Sequence, residues 1–168
     1  MTLEEKLDQL INQLSNGAFV PIVSEQTSPY GQAIKTPADA HHAFAQLFPE
    51  MKDWQQETMV LICLDNQNRP IWHGIIFVGS LKSATATPRE IFRRALIEHA
   101  AAVIIAHNHP SGTATPSVYD ITATRRLALA GEVLDIPLHD HTIIGREGWV
   151  SLREHNGSLF TKDPTPHR

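Results

Sequence analysis

A single cysteine, Cys63, occurs in the 168 residues. One thiol excludes an internal disulfide framework and any cysteine-rich zinc site. It lies in an apolar run, where a thiol acts as a small buried hydrophobe, so it is expected to be inert. Long apolar runs are scarce too. The longest clear one, Ala100 to Ala106, is about a third of a membrane span. Met1 to Gln13 is acidic and amphipathic, unlike a secretory signal. Positive charge is in deficit: 14 Lys and Arg stand against 18 Asp and Glu, for a net charge of -4, and the pI is near 6.2. A duplex-binding domain usually carries a basic face, and the pair Arg125-Arg126 does not make one. The expectations are a cytoplasmic chain with no membrane segment and no strong nucleic-acid signal.

What remains is globular in character. Hydrophobic residues make up 42% and charged residues 19%, values that suit one soluble domain with a real core. Thr2-Leu3-Glu4-Glu5 reads as a capping box, followed by Leu3, Leu7, Leu10, Ile11 and Leu14 on one helical face up to Gly17. Residues 18–35 read as irregular. Thr36-Pro37-Ala38-Asp39 opens a second helix that ends before Pro49. Thr58 to Leu64 is a strongly apolar strand, Asp65 to Asn68 a turn, and Ile71 to Val78 the returning strand. Thr87-Pro88-Arg89-Glu90 caps a third helix with Ile91, Phe92, Ala95 and Leu96 on its inner face. Ala100 to Ala106 is a buried strand, His107 to Pro116 a polar loop, and Ser117 opens a helix reaching about Ala130. Thr142 to Ile144 and Trp149 to Leu152 are two short strands. This order predicts an α/β fold, a mixed central sheet flanked by helices. The last six residues, with two prolines, read as a loose tail.

The chemistry concentrates in one string, Ala106-His107-Asn108-His109-Pro110-Ser111-Gly112, running on to Ser117-Val118-Tyr119-Asp120. It follows a buried strand and precedes a helix, where α/β folds gather ligand-binding groups. Histidines at i and i+2 of an extended chain point the same way and can reach one ion. Asp120, in the first turn of the next helix, faces back over the loop. Two imidazoles and a carboxylate leave a fourth tetrahedral position open, the pattern of a catalytic rather than a structural zinc site. Two plainer readings stand beside this one. With 10 histidines in the chain, a His-x-His pair arises readily by chance. Ser117-Val118-Tyr119-Asp120 is equally a capping box, a role compatible with facing a site. The tripeptide His-Asn-His by itself does not make an HNH nuclease, which needs further ligands downstream. The zincin helix H-E-x-x-H and the deaminase string P-C-x-x-C are both missing.

His107-x-His109-Pro110, six further residues and Ser117-x-x-Asp120 resemble the JAMM motif of JAB/MPN+ metalloenzymes. Pro88-Arg89-Glu90, His107 to Gly112, and Asp140-His141-x-Ile143-Ile144-Gly145 are similar to the RadC branch of that superfamily, over about Thr36 to Leu152. The resemblance implies a JAB/MPN domain over 36–155, of the cytidine-deaminase-like α-β-α sandwich type, with 1–35 as an extension and 156–168 as a tail. It implies one zinc ion per chain on His107, His109 and Asp120. It implies Glu57, just before the first hairpin strand, as general base, and Ser117 as a donor to the oxyanion. The activity implied is hydrolysis of a peptide or isopeptide bond in a peptide or protein substrate by zinc-activated water. Asp140-His141 is either a pair supporting the metal ligands from behind or a structural hydrogen bond at a strand start.

Some features depart from the RadC pattern. His73-Gly74 stands where a glutamate is often found in the second hairpin strand, and Thr87 where a histidine often precedes Pro-Arg-Glu. Residues 1–35 show no glycine-punctuated helix-hairpin-helix, so nucleic-acid binding is not carried over and the family's link with DNA repair is weak evidence. The competing functions are a non-catalytic MPN-like interaction module and a factor associated with DNA repair. The former usually loses motif residues, and this chain keeps all five.

Overall fold

A computed structural model of the chain describes residues 30–79 and 87–161. The helix expected at Leu3 to Leu14, most of the irregular extension and the end of the tail lie outside these residues. Helix α1, Pro37–Leu47, begins as its sequence requires. The Thr36 hydroxyl accepts from the Asp39 N–H at 3.1 Å, and the Asp39 carboxylate accepts from the Thr36 N–H at 2.9 Å. Proline at the first position costs nothing there, because that N–H has no helical partner.

Strands β1 (Thr58–Leu64) and β2 (Pro70–Val78) form the expected hairpin. Asp65 closes its turn by accepting from the Gln67 and Arg69 amides, while Asn68 takes the left-handed conformation at φ 59°. Helix α2 (Pro88–Ile97), strand β3 (Ala102–Asn108), helix α3 (Val118–Val133) and strands β4 (Leu138–Gly145) and β5 (Gly148–Ser151) follow. A short helix α4, Leu152–His155, and a 3-10 turn close the described chain. The sheet order is β2-β1-β3-β4-β5, with only β3 and β4 parallel. It is therefore the mixed α/β sheet that the element order predicted, and α3 is the crossover that a parallel pair needs.

Alternation along β1 and β3 divides the core in two. Met59, Leu61, Cys63, Val103 and Ile105 pack against Ile91, Phe92 and Ala95 of α2 and Leu127 of α3. Val60, Ile62, Ala102, Ile104 and Ala106 pack on the other side against Ala40, Ala43 and Phe44 of α1. Both faces being covered, β1 and β3 are buried along their whole length. No helix among the described residues is long and apolar enough to cross a membrane.

Several boundaries differ from the sequence expectation, each for a physical reason. β3 runs on through His107 and Asn108, because both side chains are buried with partners. β4 starts at Leu138 rather than Thr142 because Asp140 and His141, polar as they look, are also buried and bonded. Helix α3 passes through Gly131 rather than stopping before it. A Cβ there would meet the Ile136 carbonyl at 2.5 Å and the Phe92 ring at 2.9 Å, so this glycine permits close packing. The helix ends at Val133 with Leu134 as its C-cap, and Asp135 then turns left-handed at φ 54°. Thr87 occupies the N-cap of α2, but its hydroxyl makes no capping bond and is buried with no partner among the described residues.

Candidate metal centre

His107 continues the β1/β3 face that packs against α2 and α3, one step beyond Ile105, where the apolar core gives way to a cluster of polar side chains. The strand fixes its direction, and α3 supplies what it meets. The Ser117 hydroxyl accepts from the Asp120 N–H at 3.2 Å, and the Asp120 carboxylate accepts from the Ser117 N–H at 2.6 Å. This capping box is thus present and also orients the carboxylate. Asp120 Oδ1 lies 3.1 Å from His107 Nε2, and Oδ2 lies 3.4 Å from His109 Nε2. The two imidazole Nε2 atoms are 2.9 Å apart. The three side chains form a group that could hold a metal ion. Two atoms bound tetrahedrally to zinc at about 2.0–2.1 Å stand about 3.3 Å from each other, close to the separations found.

Hydrogen bonding on the far side of each ring tests this fit. His109 Nδ1 lies 3.0 Å from the Thr113 carbonyl, which only accepts, so Nδ1 carries the proton. His107 Nδ1 lies 2.7 Å from His141 Nε2. His141 Nδ1 lies 2.6 Å from the Thr124 hydroxyl, which itself donates to the Asp120 carbonyl at 2.6 Å. With that hydroxyl proton committed, His141 Nδ1–H donates to Thr124 and His107 Nδ1–H donates to His141. Both metal-facing nitrogens then carry lone pairs, aimed at each other and at a carboxylate. Such a cluster is stable only around a cation, either a proton or a metal.

The electrostatics agree. With a proton in the cluster, burial pushes the Asp120 carboxyl up, but its hydrogen bonds with His107 and His109 prevail and hold it well below the usual carboxylate range. Asp120 raises the His109 pKa against the opposing effect of burial, with the Thr113 carbonyl and the Glu57 charge adding to the rise. Burial pushes His141 well below its ordinary value, which keeps it neutral.

Glu57 is half-buried. The β1–β3 register ends with Met59 opposite His107, and Glu57, two residues before Met59, is near enough for its charge to act on His109. The ladder is prolonged by a side chain. Asn108 Oδ1 accepts from the Thr58 N–H at 2.8 Å, and its Nδ2 donates to the Trp54 and Gln56 carbonyls at 3.1 and 3.2 Å. Asn108, read from sequence as the spacer between two histidines, thus holds the segment that carries Glu57. Thr124 was missed as well, although its place four residues after Asp120 sets it on the same helical face. Asp140 and His141 prove to have separate tasks. Asp140 accepts from the Ser151 hydroxyl and from the His141 and Arg153 amides, a structural role, while His141 backs His107.

The loop between His109 and Ser117 is tied to the β4–β5 turn. His109 N–H donates to the Ile144 carbonyl and Glu147 N–H to the Gly112 carbonyl. Gly112 adopts φ +98°, and a Cβ on Gly145 would stand 2.3 Å from the Gly112 oxygen.

Comparison with known proteins gives a consistent picture. A family model described as the RadC-like JAB domain matches residues 34–157. A UPF0758 protein of Enterococcus faecalis is 48% identical over 111 residues, 66% of this chain and 48% of that protein. One of Chloroflexus aggregans is 46% identical over 121 residues, 72% of this chain and 52% of its own length. One of Listeria monocytogenes is 38% identical over 149 residues, 89% of this chain and 64% of its own. The chain therefore spans about half to two-thirds of these relatives.

Proposed function

The chain belongs to the RadC-like JAB domain family, and from that premise we propose that it is a zinc-dependent hydrolase of peptide or isopeptide bonds. The observation that carries this reading is the convergence of two imidazole Nε2 atoms and a carboxylate at the buried end of β3. His107, His109 and Asp120 would hold the zinc ion, which would supply Lewis acidity towards a carbonyl and a water molecule.

The remaining work falls to the chain's own residues. Glu57 takes the proton of the attacking water and returns it to the leaving amine; the action of its charge on His109 supports this role. Ser117 uses its oxygen lone pair for the helix cap, which leaves its O–H to donate to the oxyanion that develops on the substrate. Asn108 holds the Trp54–Thr58 backbone and with it the approach of Glu57.

Elemental analysis of purified protein tests the centre. One zinc per chain is expected, and the His107→Ala/His109→Ala double variant should lose it; full retention would sink the assignment. Glu57→Gln should keep zinc while losing roughly a hundredfold or more in rate on any peptide found by library screening. Near-complete activity of that variant would remove Glu57 from the mechanism. A zinc-loaded wild type that cleaves nothing would point to an interaction module instead.

A further inference from the structure

His107 and His109 are supported from behind in different ways. His109 Nδ1 meets a backbone carbonyl of its own loop. His107 meets another histidine, and that histidine meets a threonine on α3. All three members of this second arrangement, His107, His141 and Thr124, are 0% exposed. Water cannot reach in to replace a missing partner, so the protons in this chain of groups are dictated by the groups themselves.

We propose that Thr124 and His141 form a hydrogen-bond relay of fixed direction that locks His107 with its proton on Nδ1 and thereby sets the site's affinity for zinc. The inference rests on the metal reading above, but the tautomer lock stands by itself. Its direction is decided at the Thr124 end. A hydroxyl has one proton, and that of Thr124 goes to the Asp120 carbonyl four residues earlier in the helix. Thr124 can then only accept from His141 Nδ1–H. A neutral imidazole has one N–H, so His141 Nε2 can only accept from His107 Nδ1–H. His107 in turn keeps its Nε2 lone pair for the cluster. Reversing any link would put a proton on His107 Nε2, where it would block a metal.

The relay also closes on itself. It begins at the backbone carbonyl of Asp120 and ends at an imidazole facing the Asp120 carboxylate at 3.1 Å. The first turn of α3 thus supplies one ligand and sets the protonation of another. Partners of this kind behind a metal-binding histidine typically matter by 10–100-fold in affinity.

Two substitutions separate this role from simple packing. Thr124→Val keeps the volume and removes the hydroxyl, leaving the His141 Nδ1–H unpaired. Thr124→Ser keeps the hydroxyl and removes only a methyl group. In competition with a chromophoric chelator, the full chain should bind zinc about 10–100-fold more weakly as Thr124→Val, while Thr124→Ser stays near wild type. A packing role would give the opposite order. Equal affinity of wild type and Thr124→Val would overturn the relay, and so would a Thr124→Ser loss as large as that of Thr124→Val. A wild type that takes up no zinc would overturn the metal reading instead. The relay is then judged on the metal-free wild type, with no variant needed, by the nitrogen spectrum of 15N-histidine-labelled protein at pH 8. His107 and His141 should both appear as Nδ1–H tautomers. An Nε2–H form of either would refute the relay.

Discussion

Replacing Asn108 by leucine isolates the clamp that joins β1 to β3 at the site. Leucine has the same branching at Cγ, so the shape is retained and three hydrogen bonds are lost. The Thr58 N–H would be left buried and unpaired, at a cost of about 1–3 kcal/mol. The two bonds to the Trp54 and Gln56 carbonyls are only partly buried, and each contributes about 1 kcal/mol net. The sum is about 3–5 kcal/mol, a large share of the 5–15 kcal/mol by which domains are typically stable. Urea unfolding should show a lower midpoint with an unchanged slope. Hydrogen exchange at the Thr58 amide should accelerate relative to the amides at the centre of β1. A loss below about 1 kcal/mol with Thr58 still protected would refute the reasoning, because the unpaired-donor penalty sets that floor.

Burial pushes the Cys63 thiol up to about 12, so a disulfide reagent at pH 8 should label it only on unfolding; immediate stoichiometric labelling of native protein would contradict its placement. Gly145→Ala forces a Cβ against the Gly112 oxygen and should cost about 1–3 kcal/mol in a thermal melt, the usual scale of overpacking. The metal-free protein should show two opposed pH effects. Asp120, depressed when folded, contributes stability above its unfolded value of about 3.9 that is lost as pH falls through the folded value, so Asp120→Asn should flatten the acid limb. His109, raised when folded, contributes stability below about 6.5 that is lost as pH rises through its folded value. That decline should disappear in His109→Gln.

The fold was legible wherever hydrophobic period and cap chemistry coincide. Thr36 with Pro37 and Asp39, the unbroken run Thr58 to Leu64, and Ser117 with Asp120 each mark an element correctly. It was obscured where polar residues are buried. His107, Asn108, Asp140 and His141 look like loop chemistry, and only their tertiary partners make them strand residues. Gly131 carries the same lesson, since it resembles a terminator until the Phe92 ring and Ile136 carbonyl appear beside it. The cluster of His107, His109 and Asp120 was legible because local geometry carries it, an extended pair plus a helix start. Asn108, Thr124 and the task of His141 were not, because they depend on contacts between residues far apart in sequence, such as Thr58 with Asn108.

The separation of those contacts bears on how metal supply acts on the protein. Unfolded, the chain offers an ion only scattered histidines; Asp120, His141 and the β1 segment join His107 and His109 only when β3, α3, β4 and β1 have assembled. An ion that recognises the assembled site and not the open chain stabilises the fold by about 2.7 kcal/mol at a hundred times its dissociation constant. With zinc filling the cluster, the free zinc concentration becomes part of the chain's folding equilibrium. Metal starvation would then lower the amount of protein, because a larger unfolded fraction is exposed to proteolysis.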